Sequence, residues 1–76
     1  MLSYKAEFQG EHRVVYSFDA AKAWVCQQAG RTLRWVSTSD GKAWYGYRTR
    51  TDAERAAPDA PVDYLGRIVS SAHADF

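Results

Sequence analysis

The chain has little of what small exported domains and metalloproteins rely on. It contains one cysteine, Cys26, in 76 residues, so no disulfide can form within the chain, and no cysteine and histidine set has metal-site spacing. Apolar and polar residues alternate near the N-terminus instead of forming a signal peptide, and no apolar run reaches about 18 residues. We therefore expect a cytoplasmic protein with no membrane span, no metal ion and no cofactor.

Groups suited to catalysis are also scarce. Cys26 is the only thiol and falls in an alanine-rich helical segment, where a packed structural role is usual. His12 falls in a predicted hairpin loop and His73 near the C-terminus, and such positions favour solvent exposure over proton transfer. No glycine-rich loop leads into a helix to hold phosphate. These patterns predict a protein that is not an enzyme.

Aromatic residues are plentiful and provide the material for a core. The chain has three Trp, five Tyr and three Phe, and each ring can remove roughly 150 to 250 Å² from water. A chain of this length buries only about 60% of the surface that its unfolded form exposes, so these rings matter for stability. We expect residues 1–76 to form a single small α+β domain with a frayed tail at 71–76.

The first two segments predict a β-hairpin whose register is ambiguous. Residues 2–8 and 13–18 alternate with a period of two, as strands with one buried face do. A two-residue Gly10-Glu11 loop would pair Phe8 with Arg13, whereas a three-residue loop over 10–12 pairs Phe8 with Val14. The second register brings apolar residues together, so we predict it. It also pairs Ala6 with Tyr16 and Tyr4 with Phe18.

A helix is predicted over residues 20–29. Ser17 or Asp19 can provide its N-cap, and Gly30 is the expected stop because glycine adopts a left-handed backbone freely. One face of this helix carries the residues expected to pack on a sheet, namely Ala21, Trp24, Val25 and Ala29.

A second hairpin is predicted over 32–38 and 43–50, with a type I′ turn at Asp40-Gly41. This register places Trp35 opposite Gly46 and Arg34 opposite Tyr47. One face then holds Leu33, Trp35 and Trp44 and is the predicted core face, with the main helix packed on it. The other face holds Arg34, Val36, Tyr45 and Tyr47 and is the predicted contact face, with Arg34 able to stack on Tyr47.

The remaining segments predict a short helix and a fifth strand. Thr51 to Glu54 has the form of a capping box, so a helical turn is expected to run to Ala57 before Pro58. Residues 62–70 alternate again and predict a strand at the edge of the sheet, which could pair with a second copy of the chain. The predicted fold class is α+β, with an antiparallel sheet of four to five strands and one main helix packed on one face.

The charge distribution points to a binding surface on the second hairpin. The whole chain has a net charge of +1, but residues 31–50 carry +4 and residues 51–76 carry −3. Tyr, Trp and Arg are enriched at protein interfaces, and Arg with aromatic residues also binds nucleic acid. The predicted partner-binding residues are Arg34, Tyr45, Tyr47, Arg48 and Arg50. A larger protein or ribonucleoprotein is the first expectation for the partner, with nucleic acid and a homodimer as alternatives.

The pattern of short segments resembles that of a known protein group. A helix starting Phe18-Asp19-Ala20-Ala21-Lys22 and an Asp-Gly hairpin carrying Trp44-Tyr45-Gly46-Tyr47 resemble small phage anti-CRISPR proteins that act on type I systems, over residues 4–50. The resemblance implies a phage-encoded, non-enzymatic inhibitor that binds the crRNA-guided surveillance complex or its nuclease. It assigns no role to any individual residue.

Overall fold

The computed structural model describes residues 2–55 and 63–70, which form an α+β fold. The elements follow one another as β1 (Tyr4–Phe8), β2 (Glu11–Val15), α1 (Phe18–Ala29), β3 (Arg34–Ser37), β4 (Ala43–Tyr47), α2 (Arg50–Arg55) and β5 (Gly66–Ser70). The five strands form one antiparallel sheet in the order β2-β1-β5-β4-β3. This confirms the predicted fold class, with α1 as the one main helix.

The strand order overturns the prediction for β5. We expected β5 to be an edge strand, but it lies in the centre and pairs with β1 on one side and β4 on the other. Its buried residues are Gly66, Ile68 and Ser70, as expected for a strand covered by a helix. Among the described strands, β2 and β3 lie at the edges of the sheet. The predicted start of this strand at Val62 lies outside the described residues.

The register of the first hairpin is also different from the predicted one. Phe8 pairs with Glu11 and Ala6 with Arg13, so the loop has two residues, Gln9 and Gly10. Both loop residues have positive φ, 48° and 84°, which is the backbone of a type I′ turn and matches the twist of the strands. The predicted three-residue loop and the pairing of Phe8 with Val14 are therefore wrong. His12 lies in β2 rather than in a loop.

The position of Phe18 shows why pairing apolar residues across the first hairpin gave the wrong register. Phe18 is the first residue of α1, and its ring lies 4.6 Å from that of Trp44 and 5.9 Å from that of Tyr4, measured between centroids. Its apolar contacts come from β4 and β1, so it needs no place in β2. Tertiary packing thus removes the reason for aligning Phe18 across the hairpin from Tyr4.

The ends of α1 follow the predicted capping chemistry. Ser17 is the N-cap, and its Oγ accepts a hydrogen bond of 3.0 Å from the backbone N–H of Ala20. The helix therefore begins at Phe18, two residues earlier than predicted. Gly30 ends it with φ 72°, and its N–H donates to the carbonyls of Cys26 and Gln27.

The second hairpin has the predicted register but a different turn. Arg34 pairs with Tyr47 and Trp35 with Gly46, as expected. Asp40 has no positive φ, unlike Gly41 at 70°, so the predicted type I′ turn is wrong. Instead the Asp40 carboxylate accepts hydrogen bonds from the Thr38 hydroxyl and from the backbone N–H of Lys42, which closes a four-residue loop. These hydrogen bonds lower the pKa of Asp40 below its ordinary value.

The second helix also begins earlier than predicted. Its N-cap is Thr49, whose Oγ1 accepts a 3.1 Å hydrogen bond from the backbone N–H of Asp52. Thr51 is therefore inside α2 and does not cap it, because Thr49 already caps the helix start. The predicted helical end at Ala57 and the tail 71–76 lie outside the described residues.

The core lies between α1 and the face of the sheet that carries Ala6, Ile68 and Leu33. We call this side the helix face and the opposite side the far face. Ala6, Ala21, Val25 and Ile68 are fully buried there, and Trp24, Trp35 and Trp44 pack around them. Gly66 makes this contact possible because a Cβ at this position would lie 2.3 Å from Val25 Cγ1 and 3.2 Å from the Glu7 carbonyl oxygen.

We predict that Gly66→Ala destabilises the protein by at least about 2 kcal/mol, because the added methyl group would overlap the Val25 side chain. Urea unfolding would measure this loss. In a Val25→Ala background, which removes the clashing methyl group, the same substitution should cost less by at least about 1 kcal/mol. Equal costs in the two backgrounds would contradict the assigned contact.

Candidate functional site

The far face of the sheet carries a row of polar and aromatic side chains that crosses three strands. Glu7 of β1 lies opposite Arg67 of β5, and Arg67 lies opposite Tyr45 of β4. Side chains of directly opposed residues point to the same face, so the three groups are neighbours. The row exists only because β5 is central.

Arg67 is held from both sides by this row. Its Nη1 is 3.6 Å from Glu7 Oε2, and its guanidinium carbon lies 6.0 Å from the centroid of the Tyr45 ring. Glu7 also contacts Lys5, with 3.5 Å between Nζ and Oε1. The Arg67 Nε is buried and has no hydrogen-bond partner among the described residues. The guanidinium is therefore positioned while one of its donors stays unpaired.

Tyr64 extends the row beyond Tyr45. The two rings meet edge to face, with centroids 4.7 Å apart and an interplanar angle of 69°. Tyr45 is half-buried, whereas Tyr64 is 43% exposed. An edge-to-face pair fixes both rings, so an incoming partner would meet an aromatic surface that is already ordered.

The predicted site residues lie in different parts of the structure. Arg34 is exposed and lies on the far face, as expected, where it is directly opposite Tyr47 and diagonal to Tyr45. Arg48 is exposed but follows the end of β4, and Arg50 begins α2, where its Nε lies 2.9 Å from Glu54 Oε1. The structure thus places Arg34 and Tyr45 on the same face of the sheet, whereas Arg48 and Arg50 lie outside the strands.

Tyr47 cannot belong to a contact surface, which corrects the prediction for it. It is 1% exposed and is among the largest fully buried side chains. It is not part of the cluster beneath α1, and it lies at the end of β4, the strand that α2 contacts. No stacking of Arg34 on Tyr47 occurs between these two described residues; the cation over an aromatic ring on this face is Arg67 over Tyr45. Burial raises the pKa of the Tyr47 phenol, as do the nearby Tyr45 and Tyr64.

Glu7, Tyr64 and Arg67 were missed by the sequence prediction. The period-two pattern placed each of them on a strand, but no local signal linked Arg67 to Glu7 or Tyr45. These residues become neighbours only through the order of the strands in the sheet. We define the far-face patch as these three residues together with Arg34 and Tyr45.

Comparisons with protein-family models, curated proteins and solved structures find no match. The far-face patch is therefore interpreted from its own chemistry. No group of three or more His, Cys, Asp or Glu residues within 2–55 and 63–70 could hold a metal ion. In the same part of the chain, no helix has the length and apolar character needed to cross a membrane.

Cys26 packs partly against the core. It is half-buried on α1, beside the buried cluster, and forms no disulfide. His12 is exposed on β2, and His73 lies outside the described residues. The arrangement of the described side chains thus offers Arg donors and Tyr rings for recognition.

We expect Tyr47→Ala to lower the free energy of unfolding by about 3 kcal/mol or more, because it removes a fully buried ring. Arg34→Ala truncates an exposed side chain, so its free energy of unfolding should stay within about 0.5 kcal/mol of that of the wild type. Chemical denaturation of the two variants would show the contrast. Similar stabilities would mean that Tyr47 is not buried in solution.

The raised pKa of Tyr47 predicts a loss of stability at high pH. Its phenol stays protonated in the folded state above the ordinary pKa of 10.0, so its contribution is present below that value and is lost as pH rises through the folded pKa. Unfolding free energies measured at about pH 8 and about pH 11 should therefore fall more for the wild type than for Tyr47→Phe. Tyr64→Phe serves as the control because Tyr64 is partly exposed. Equal losses in wild type and Tyr47→Phe would contradict this assignment.

Proposed function

We propose that this protein is a non-enzymatic binding protein that acts by stoichiometric association with a larger protein or ribonucleoprotein. The observation that carries the proposal is the far-face patch, in which Arg67 is held between Glu7 and Tyr45 on a sheet. A guanidinium fixed in place loses less side-chain entropy on binding than a free one.

The patch has the composition of an interface hot spot. Tyr and Arg are enriched among the residues whose truncation costs most at interfaces, and the patch has two of each. Tyr64 supplies an exposed ring and Arg34 an exposed cation. The half-buried ring of Tyr45 contacts that of Tyr64 edge to face. A partner that covers these groups would exclude water from them and strengthen their polar contacts.

The charge of the patch favours a protein partner over bare nucleic acid. Arg67 is paired with Glu7, and the Arg50 guanidinium is paired with Glu54, so two cations near the patch are partly neutralised. A phosphate backbone would approach the Glu7 carboxylate as well as Arg67, and such like charges repel each other. A protein surface with a mixture of acidic and polar groups suits this pattern better.

The resemblance to anti-CRISPR proteins gives the partner to test first. As a proposal, the partner is the crRNA-guided surveillance complex of a type I system, with inhibition of its DNA binding as the outcome in the host cytoplasm. The resemblance supports this choice, and the far-face patch supplies the contact residues. The phage origin is part of the same proposal.

The experiment measures target DNA binding by a purified type I surveillance complex while the protein is added up to equimolar amounts. The wild type should block DNA binding, and Arg34→Ala/Tyr64→Ala should bind the complex more weakly by about 2 kcal/mol or more. The control is Gln28→Ala/Arg31→Ala, which removes one cation and one polar side chain from exposed positions at the end of α1.

Three different outcomes test the binding site, the identity of the partner and the absence of catalysis separately. Full inhibition by the Arg34→Ala/Tyr64→Ala variant would contradict the far-face patch as the binding site. Absence of inhibition by the wild type would contradict the surveillance complex as the partner. A multiple-turnover activity that Cys26→Ser abolishes would contradict the non-enzymatic proposal itself.

Direct nucleic-acid binding is the second candidate, because two exposed arginines have no acidic partner among the described residues. Arg34 and Arg48 are exposed and form no ion pair within the described part of the chain, and the exposed ring of Tyr64 could stack on a base. A mobility-shift assay on bare DNA and RNA at two salt concentrations distinguishes this function, because affinity from phosphate contacts falls steeply as salt rises.

A further inference from the structure

The β2 strand is a free edge of the sheet with backbone groups available for pairing. Within residues 2–55 and 63–70, β2 pairs with β1 alone, and Phe8 and Glu11 flank the two-residue turn as a hydrogen-bonded pair. Bonded and non-bonded pairs alternate along an antiparallel ladder, so the backbone N–H and C=O groups of His12 and Val14 point away from β1. A second strand could accept and donate hydrogen bonds at these two residues.

Two of the exposed side chains at this edge are large and apolar, beside the polar Glu11, His12 and Arg13. Val14 is 44% exposed and Tyr16, just after the strand, is 70% exposed. Tyr16 is the most exposed of the large hydrophobic residues in the described structure. Natural edge strands usually avoid exposed apolar groups because these promote pairing with other strands.

The helix face beside β2 also has unfilled space. A groove of about 320 Å³ runs between β2 and α1. It is lined by Arg13, Val15, Ala20, Ala23, Trp24 and Gln27. The small alanines leave room for side chains from another molecule beside β2. Two independent features therefore converge on one edge.

We propose that β2 pairs with β2 of a second copy of this chain, antiparallel across a two-fold axis that passes beside Val14. The pairing joins two five-stranded sheets into one continuous sheet with both α1 helices on the same side. A symmetric pair of identical strands is a closed isologous interface, so association stops at the dimer.

The side chains of β2 favour this register over the two centred on Arg13 and on His12. A dimer centred on Arg13 would place the two arginines opposite each other, and directly opposed like charges are destabilising. A dimer centred on His12 would leave Tyr16 outside the paired segment. The register centred on Val14 pairs the two valines with each other and brings His12 opposite Tyr16.

The energetic balance also favours the register centred on Val14. The register centred on His12 would gain two ion pairs between Glu11 and Arg13, but exposed ion pairs contribute only about 0.2 to 1 kcal/mol each. Burial of apolar surface contributes roughly 25 cal/mol for each Å², and both Val14 and Tyr16 have such surface to bury. The contact is nevertheless small, so the dimer is weak and forms only at high protein concentration.

Sedimentation equilibrium tests the proposal over concentrations up to about 1 mM, where weak dimers with dissociation constants between micromolar and millimolar are populated. The wild type should dimerise. Val14→Glu should be monomeric, because the two carboxylates would repel each other at the axis, whereas within the chain this position faces Lys5. Ser37→Glu, on the other free edge in β3, is the control and should dimerise like the wild type.

Mixing two variants provides a positive test. Val14→Glu mixed with an equal amount of Val14→Lys should recover a dimer, because opposite charges then face each other across the axis. A wild type that stays monomeric throughout the concentration range would overturn the proposal. Dimerisation of Val14→Glu alone at wild-type strength would also overturn it.

Oxidative cross-linking identifies the register. In a Cys26→Ser background, Val14→Cys should form an intermolecular disulfide, because directly opposed residues of a hydrogen-bonded pair have Cα atoms about 5.5 Å apart, within the range of disulfides. His12→Cys should form none in the same background, because the two copies of residue 12 would be four positions out of register. A cross-link at residue 12 in place of residue 14 would contradict the register.

Discussion

The close contact between Gly66 and Val25 is the constraint on which the arrangement of the sheet depends. A side chain on Gly66 would occupy the space of the Val25 methyl group, so only glycine lets α1 approach β5 this closely. With α1 in that position, Ala6 on β1 and Ile68 on β5 are fully buried under the same helix. β5 then joins the two hairpins into one sheet, with β1 on one side and β4 on the other.

The far-face patch is a direct consequence of this arrangement. Arg67 can contact Glu7 and Tyr45 at once because its strand pairs with both of theirs. The sheet supports these side chains on a rigid backbone, which is how a small domain can present a precise contact surface without a deep pocket. The proposed function uses this ordered surface, and the proposed dimer uses the free edge at β2. The two surfaces lie on different strands, so a dimer would present two copies of the patch.

Alternation along β4 places two tyrosines on one face but gives them different roles. Tyr45 is half-buried and supports Tyr64, whereas Tyr47 is fully buried at the end of the strand next to α2. Period-two alternation predicts which face a residue occupies and says nothing about what covers that face. The burial of Tyr47 depends on its tertiary neighbours, so composition and period together could not separate it from Tyr45.

Local chemistry along the chain was sufficient for much of the fold. Gly30 ended α1 as predicted, Ser17 was one of two predicted caps, and Trp35 pairs with Gly46 as the alternation around Asp40-Gly41 required. The three-dimensional structure alone decided the central position of β5, the register of the first hairpin and the membership of Glu7, Tyr64 and Arg67 in the patch. The physical reason is that caps and turns depend on residues a few positions apart. Strand order depends instead on which distant segments share one buried surface, and similar alternating segments give no local signal to distinguish their partners.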